Sequence, residues 1–499
     1  MAITQQDIMY FILTDRFYSK NKSASEKGLD KKRANAYHGG NFDGIIEKIP
    51  YLKNLGITAL WITPVYWQVD VESEKSQAYH GYWALDFNKV DPHLYNDKGY
   101  EAGSRKYLKE LIDTLHNAGI KVILDVVVNH TGYNHPGHNG NKINPTSIQA
   151  EWFNQRGLSC EKDEIEGELA GLPDFNLDHP DAIDYHINSI ISWITETGID
   201  ALRMDTAKHI ERGFWNYFKT QIQGKFPHIT LIGEALIFNI DELTNFQKFW
   251  GFDCLFDFPV QQAINKVFLE NYGFTEFESS FENGSGIFER DTAYSNQNRM
   301  VSLLDNHDLS FRFMTGALRT CNGDRNLAAK VMKLALTFQF TTRGIPQLYY
   351  GTEVGLEGGS DPDNRRDFPW NIINSENNVS EKYVIEKEIF VHIQKLIAIR
   401  KNNAALHAGT HICLFVDCFV YVYMNWFSDN VVITLLHNGW EDMYLPIKID
   451  FNTFQKIPTR IKKIIENKTF NCELTENKIE AKNGCFEFQL KSKSSMILI

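Results

Sequence analysis

Cysteine is scarce in this chain. Seven are spread through 499 residues, at Cys160, Cys254, Cys321, Cys413, Cys418, Cys472 and Cys485. The count is odd and no pair has the CxxC spacing of a metal knuckle. That argues against a disulfide framework and for free thiols in a reducing compartment. Long apolar runs are also missing. Nothing approaches the roughly 20 residues that cross a bilayer, and the first residues, Met1-Ala2-Ile3-Thr4-Gln5-Gln6-Asp7, lack the basic-then-apolar pattern of a signal peptide. The expectation is a cytoplasmic protein that is not inserted in a membrane; a secreted chain whose leader has been removed is the alternative. Positive charge is in deficit too: 51 Lys and Arg against 63 Asp and Glu give 51 − 63 = −12. That balance excludes nucleic acid as a natural partner and suits a neutral one. Internal repeats and low-complexity tails are absent. Oligomeric state is left open.

What the chain does have is polar residues closing apolar runs. Gly198-Ile199-Asp200-Ala201-Leu202-Arg203-Met204-Asp205 is a short apolar strand that ends in charge. Arg203 and Asp205 are two apart, so on a strand they share a face, and a fixed cation beside a carboxylate favours the ionised form that a nucleophile needs. Taken alone, the pair serves equally well as a structural ion pair. Three more runs end in the same way: Leu231-Ile232-Gly233-Glu234, Met300 to Leu304 followed by Asp305-Asn306-His307-Asp308, and Val122 to Val128 followed by Asn129-His130. Polar residues closing four separate strands point to a site assembled by a parallel barrel.

The rest of the chain alternates in the same sense. A strand at Ile8 to Thr14 and a helical period from Phe42 to Leu55 are followed by a strand at Ile57 to Ile62, the start of a βαβ series. Further helices are predicted over 105–118, 182–196, 213–225, 263–271, 327–340 and 380–400, with a sixth strand over 252–258 and an eighth over 345–353. Residues 131–178 are rich in Gly, Asn and Pro and weakly periodic, and a loop of that length inside a barrel is usually functional. From about residue 403 the texture changes to short β-rich runs with turns, which predicts an antiparallel sandwich. The 34 Phe, 21 Tyr and 10 Trp supply core and flat apolar faces alike.

The four runs, in this order, resemble the signature regions of the α-amylase family of glycoside hydrolases, and the likeness covers nearly the whole chain. It implies an α/β fold: a (β/α)8 TIM barrel formed by residues 1–130 and 179–402, an inserted domain B at 131–178 and a C-terminal antiparallel β-sandwich at 403–499. It implies a retaining reaction on α-glucosidic bonds, with Asp205 as nucleophile, Glu234 as acid/base and Asp308 as stabiliser of the transition state. Arg203 sets the charge of Asp205, while His130 and His307 bind the same sugar. Tyr82, in Ala78-Tyr79-His80-Gly81-Tyr82, matches the aromatic ring beneath that sugar. Lys208 and His209 match the leaving-group side. Asp361 and Arg365 lie in a loop that resembles a more distant donor-side sugar site. A structural calcium ion is implied at Asn129, Asp174 and the carbonyl of His209. Where cyclodextrin-forming members carry acids for a second metal, this chain has Ser19 and Asn41, so no second site is expected. The extra N-terminal domain common among members acting on cyclodextrins is likewise not expected.

The leading reading is an α-amylase-type hydrolase of internal α-1,4 bonds in starch, glycogen or maltooligosaccharides. A 4-α-glucanotransferase and a cyclomaltodextrinase or neopullulanase use the same intermediate and are the alternatives. An inactive glucan-binding or scaffold protein is the reading of another class; it would be signalled by loss of a catalytic carboxylate, and all three are present.

Overall fold

The computed structural model describes residues 1–70, 76–140, 144, 146–278, 286–475 and 477–499; residues 141–143 and 145 of the predicted insertion lie outside the described residues. Eight parallel strands close into a barrel in chain order. They are β1 (Met9–Ile12), β2 (Ala59–Ile62), β3 (Lys121–Val126), β4 (Ala201–Met204), β5 (Thr230–Gly233), β6 (Cys254–Phe256), β7 (Met300–Leu303) and β8 (Ile345–Tyr349). Most are four-residue runs buried along their whole length. A parallel strand with helices outside and packed side chains inside has two dry faces, which is why these runs are apolar throughout. No helix among the described residues is long and apolar enough to cross a membrane, and all seven cysteines are free.

The chain packs as two compact units. The first comprises Met1–Phe256, His307–Ser310 and Gly358–Asn371. Its helix Pro180–Thr197 buries Ile187, Ile190, Trp193 and Ile194 at helical spacing, with Pro180 in the first turn where no amide partner is needed. Gly198 stops it in a left-handed conformation (φ 79°), its amide bonded to the Ile194 carbonyl at 3.0 Å. A side chain there would be strained, and β4 follows at once. The predicted insertion falls wholly in this unit. Its described residues form short 3₁₀ turns, Ala150–Trp152 and Leu169–Gly171, and isolated bridges such as Phe153 with Phe175. Its two ends are laced together: Thr131 N donates to Pro173 O at 3.0 Å and Phe175 N to Asn129 O at 2.8 Å.

The second unit comprises Asp257–Asn306, Phe311–Glu357 and Ile372–Ile499. The C-terminal stretch forms a four-stranded antiparallel sheet of Thr410–Val416, Val420–Phe427, Asn430–His437 and Ser494–Leu498, with small antiparallel pairs beside it. Val422, Ile433, Ile449, Phe470 and Phe486 from these sheets share one core, the interior of a sandwich.

Several boundaries differ from the sequence reading. The helix expected over 263–271 runs from Phe258 to Leu269, because Asp257 Oδ1 caps Val260 N and Pro259 fits the first turn. The eighth strand stops at Tyr349, where Gly351 in left-handed geometry starts a 3₁₀ turn. The last barrel helix is Val384–Asn402 rather than 380–400.

Candidate active site

The site grows from the inward faces of the strands. In register, Phe11 of β1 pairs with Trp61 of β2, Trp61 with Ile123 of β3, and Asp125 of β3 with Arg203 of β4. Register partners share a face and side chains alternate, so all five point the same way, into the barrel. Phe11 and Trp61 stack with ring centroids 3.6 Å apart and form a dry floor. Above it lies charge.

Arg203 is fully buried. Its Nη1 donates to Asp125 Oδ1 at 2.9 Å and to Asp205 Oδ1 at 2.6 Å, and its Nη2 lies 3.7 Å from Glu234 Oε2. Three carboxyls thus surround one guanidinium. A buried +1 cannot balance −3, so a proton is retained. Burial pushes Asp125 and Glu234 each up to about 7. Asp125 accepts from Arg203, from Trp61 Nε1 at 3.0 Å and from the Tyr82 hydroxyl at 2.7 Å. Three donors suit an ionised acceptor. Among the described residues the Glu234 carboxyl accepts one hydrogen bond, from Thr206 N at 2.9 Å, so Glu234 is where the proton resides. Thr206 achieves this in left-handed geometry (φ 49°), an uncommon conformation for a β-branched residue. The strained turn follows Asp205 directly, aims an amide at Glu234 and brings Ala207 N within 2.8 Å of the Glu234 carbonyl.

Asp308 completes the carboxylates. Its side chain is 39% exposed, the most open of the three, 3.4 Å from His307 Nε2 and 3.5 Å from Arg365 Nη2. Tyr82 stacks on His307 with centroids 5.3 Å apart, its hydroxyl 2.7 Å from His307 Nε2. The tyrosine proton goes to Asp125, so His307 Nε2 carries the proton that Tyr82 accepts. Burial, with Arg365 and Arg203 nearby, holds His307 well below the ordinary range and keeps it neutral. His130 is likewise lowered by burial, against the pull of Asp205.

Arg365 is more central than a distant sugar site requires. It is mostly buried, reaches Asp308, donates from Nε to the His307 carbonyl at 3.1 Å, and has Asp361 3.1 Å from its Nη1. Lys208 and His209 turn toward the insertion. Lys208 Nζ donates to Glu164 Oε1 and His209 Nδ1 lies against the Glu164 carbonyl, both at 2.9 Å.

Two of the residues expected to hold calcium, Asn129 and Asp174, meet. Asp174 is buried and accepts from Asn129 Nδ2 at 2.8 Å and Asn154 Nδ2 at 2.9 Å. Burial pushes it up to about 8, and Glu211 and Glu168 add negative charge nearby. Among the described residues no cationic side chain pairs with it. A buried carboxylate between two asparagine side chains, each of which also carries an oxygen, and with no cationic partner among the described residues, fits a divalent ion.

Sequence reading passes over Asp125, Trp61, Thr206 and Glu164. Asp125 leaves a trace, a lone acid inside the apolar run Val122 to Val128. The other three owe their roles to register, a turn and a contact across 44 residues. All the site residues named lie in the first compact unit.

A family model for the α-amylase catalytic domain matches residues 11–409. A β/α-amylase of Paenibacillus polymyxa is 33% identical over 444 residues, 87% of this chain and 33% of that one. A cyclomaltodextrinase of Thermoanaerobacter pseudethanolicus is 30% identical over 452 residues, 87% of this chain and 71% of that one. The crystal structure of an Anoxybacillus α-amylase superposes with a TM-score of 0.82 at 28% identity, covering 100% of this chain and 98% of the other. This chain therefore spans a third of the Paenibacillus protein and most of the other two.

Proposed function

The chain belongs to the α-amylase family, and from that premise we propose that it is a retaining glycoside hydrolase that cleaves α-1,4-glucosidic bonds of starch, glycogen or maltooligosaccharides. The observation that carries this reading is the single guanidinium of Arg203 held between Asp205 and Glu234. Retention needs two carboxyls roughly 5 Å apart, one ionised and one protonated. Arg203 fixes Asp205 in place for attack on the anomeric carbon. Burial keeps Glu234 protonated near neutral pH, so it protonates the leaving oxygen and then, as carboxylate, takes a proton from water. Tyr82 and His307 offer a ring face and a neutral polar edge to the sugar, and Asp308 faces the developing positive charge.

A calcium ion would be held by Asn129, Asp174 and the carbonyl of His209, with the Asn129 amide turned to present its oxygen. It would supply the missing positive charge and fix the end of the insertion beside the strand that carries the nucleophile.

Whether chains are cut internally, as in an α-amylase, or cyclic and short glucans are preferred turns on the sugar sites beyond Asp308. The relative named a cyclomaltodextrinase favours the second option as much as the Anoxybacillus structure favours the first. Chromatography of products from soluble starch, β-cyclodextrin and maltotetraose separates these readings. Short maltooligosaccharides from starch support the α-amylase type, and faster opening of β-cyclodextrin supports the other. Products longer than the maltotetraose supplied, with little new reducing sugar, mark a transferase. No turnover of any of the three sinks the proposal.

A further inference from the structure

The second compact unit contains a cavity of about 1240 Å3 that none of the catalytic residues lines. Gln297, Asn298 and Arg343 form one wall, just ahead of the first residues of β7 and β8, whereas the catalytic carboxyls come after strand ends. Thr410 to Cys413 of the strand Thr410–Val416 line the cavity as well, with Phe454 and Gln455.

The charges of the floor are satisfied internally. Arg343 Nη1 donates to Asp257 Oδ2 and its Nε to Asp291 Oδ2, both at 2.6 Å. His411 Nε2 lies 2.7 Å from Glu278 Oε1 and 3.1 Å from the Tyr421 hydroxyl, with its Nδ1 3.2 Å from Asn425 Oδ1. Beyond these pairs the lining adds one exposed lysine, Lys456, and one further carboxylate, Glu289, so a phosphate or nucleotide meets no net positive charge. A metal is disfavoured, because no group of three His, Cys, Asp or Glu among the described residues is placed to hold one. An apolar ligand would have to strip water from these ion pairs and from the amides of Gln297, Asn298 and Gln455. A neutral polyol meets none of these objections. The amides offer donor and acceptor side by side, matching sugar hydroxyls, and half-buried Phe454 offers a ring to a pyranose face. The volume exceeds the roughly 300–1,000 Å3 of ordinary ligand pockets, room for several linked sugars.

We propose that this cavity is a second α-glucan-binding site, which holds a maltooligosaccharide segment without cleaving it. The choice of α-glucan rests on the function proposed above. The site would keep a polymer chain associated with the enzyme between cleavages.

The test is calorimetric titration of the full chain carrying Glu234→Gln with maltoheptaose. Two sites per chain are expected. Phe454→Ala added to that background should leave one. Because Phe454 also packs on the sandwich core, the double variant Gln297→Ala/Asn298→Ala gives an independent reading. Loss of two amide contacts should weaken the second site about tenfold. With Glu234 intact, the same changes should slow starch breakdown and leave maltotetraose hydrolysis unchanged. One site in the parent that persists in every cavity variant overturns the proposal, as do two sites that survive all of them. Failure of the functional reading looks different: no α-glucan is hydrolysed, and the calorimetric count starts at one and falls to none in the cavity variants.

Discussion

Two buried arginines, Arg203 and Arg343, have nearly the same surroundings and opposite consequences. Each is gripped by two aspartates at hydrogen-bond distance. At Arg343 one of them, Asp257, also caps the helix Phe258–Leu269, so the excess negative charge lies at a helix N-terminus where it is stabilised. At Arg203 the excess falls on a third carboxyl, Glu234, which responds by holding a proton. The comparison teaches that a buried arginine is structural when its surplus acid is held by a helix N-terminus, and serves chemistry when the surplus falls on a third carboxyl that can take up and release a proton.

The largest effect should come from that leftover acid. Glu234→Gln, and likewise Asp205→Asn, should lower kcat on maltotetraose by about 10³-fold or more with the thermal midpoint nearly unchanged. A variant retaining a tenth of the activity would mean that another pair does the chemistry. Next is the exchange of roles between the arginines. Arg203→Lys loses the fork that reaches three carboxyls and should cost about 10²-fold in kcat. Arg343→Met should leave maltotetraose kinetics alone and lower urea stability by about 3–5 kcal/mol, the usual cost of breaking a buried pair. If Arg343→Met instead impairs kcat while stability holds, the contrast collapses.

A smaller effect is expected in the pH profile. Glu234 must be protonated to act as the acid, so kcat/KM should fall as pH rises through about 7. Asp205 and Asp308 both push Glu234 upward, so the residual activity of Asp308→Asn should lose its alkaline limb at a lower pH than the parent. An unmoved limb would assign it to a different group. The smallest effect concerns Asp174. Its pKa is raised in the fold to about 8, above the unfolded value near 4, so without metal its contribution to stability is complete below pH 4 and disappears as pH rises through 8. With a chelator present, the unfolding midpoint should therefore fall by a few degrees between pH 5 and pH 8. Saturating calcium, which binds the ionised form, should flatten or reverse the trend. Identical curves with and without calcium would remove the metal from the account.

Much of this was legible in the chain. The strands carrying Arg203, Glu234 and Asp308 announce themselves because a strand dry on both faces must be apolar and its polar ends stand out. The helix Phe42–Leu55 is readable to the residue because Asn41 caps it and Gly56 closes it. The antiparallel C-terminal sheet follows from its alternation and turns. Boundaries blurred where a long-range event decides them, as at Tyr349, where the strand ends in a glycine turn.

The sequence by itself determined which residue types stand at the mouths of which strands, and with them the barrel and the acids available for chemistry, because periodicity and apolar runs are local properties. Only the tertiary structure decided what those acids do. That Asp125 rather than water supports Arg203, that Thr206 turns its amide on Glu234, that Glu164 holds Lys208 and that Arg343 closes its charges depend on groups 28 to 86 residues apart meeting in a dry interior. There a single unmatched charge costs kilocalories and a proton moves to settle it, a balance set by distance and burial, which no local stretch of sequence contains.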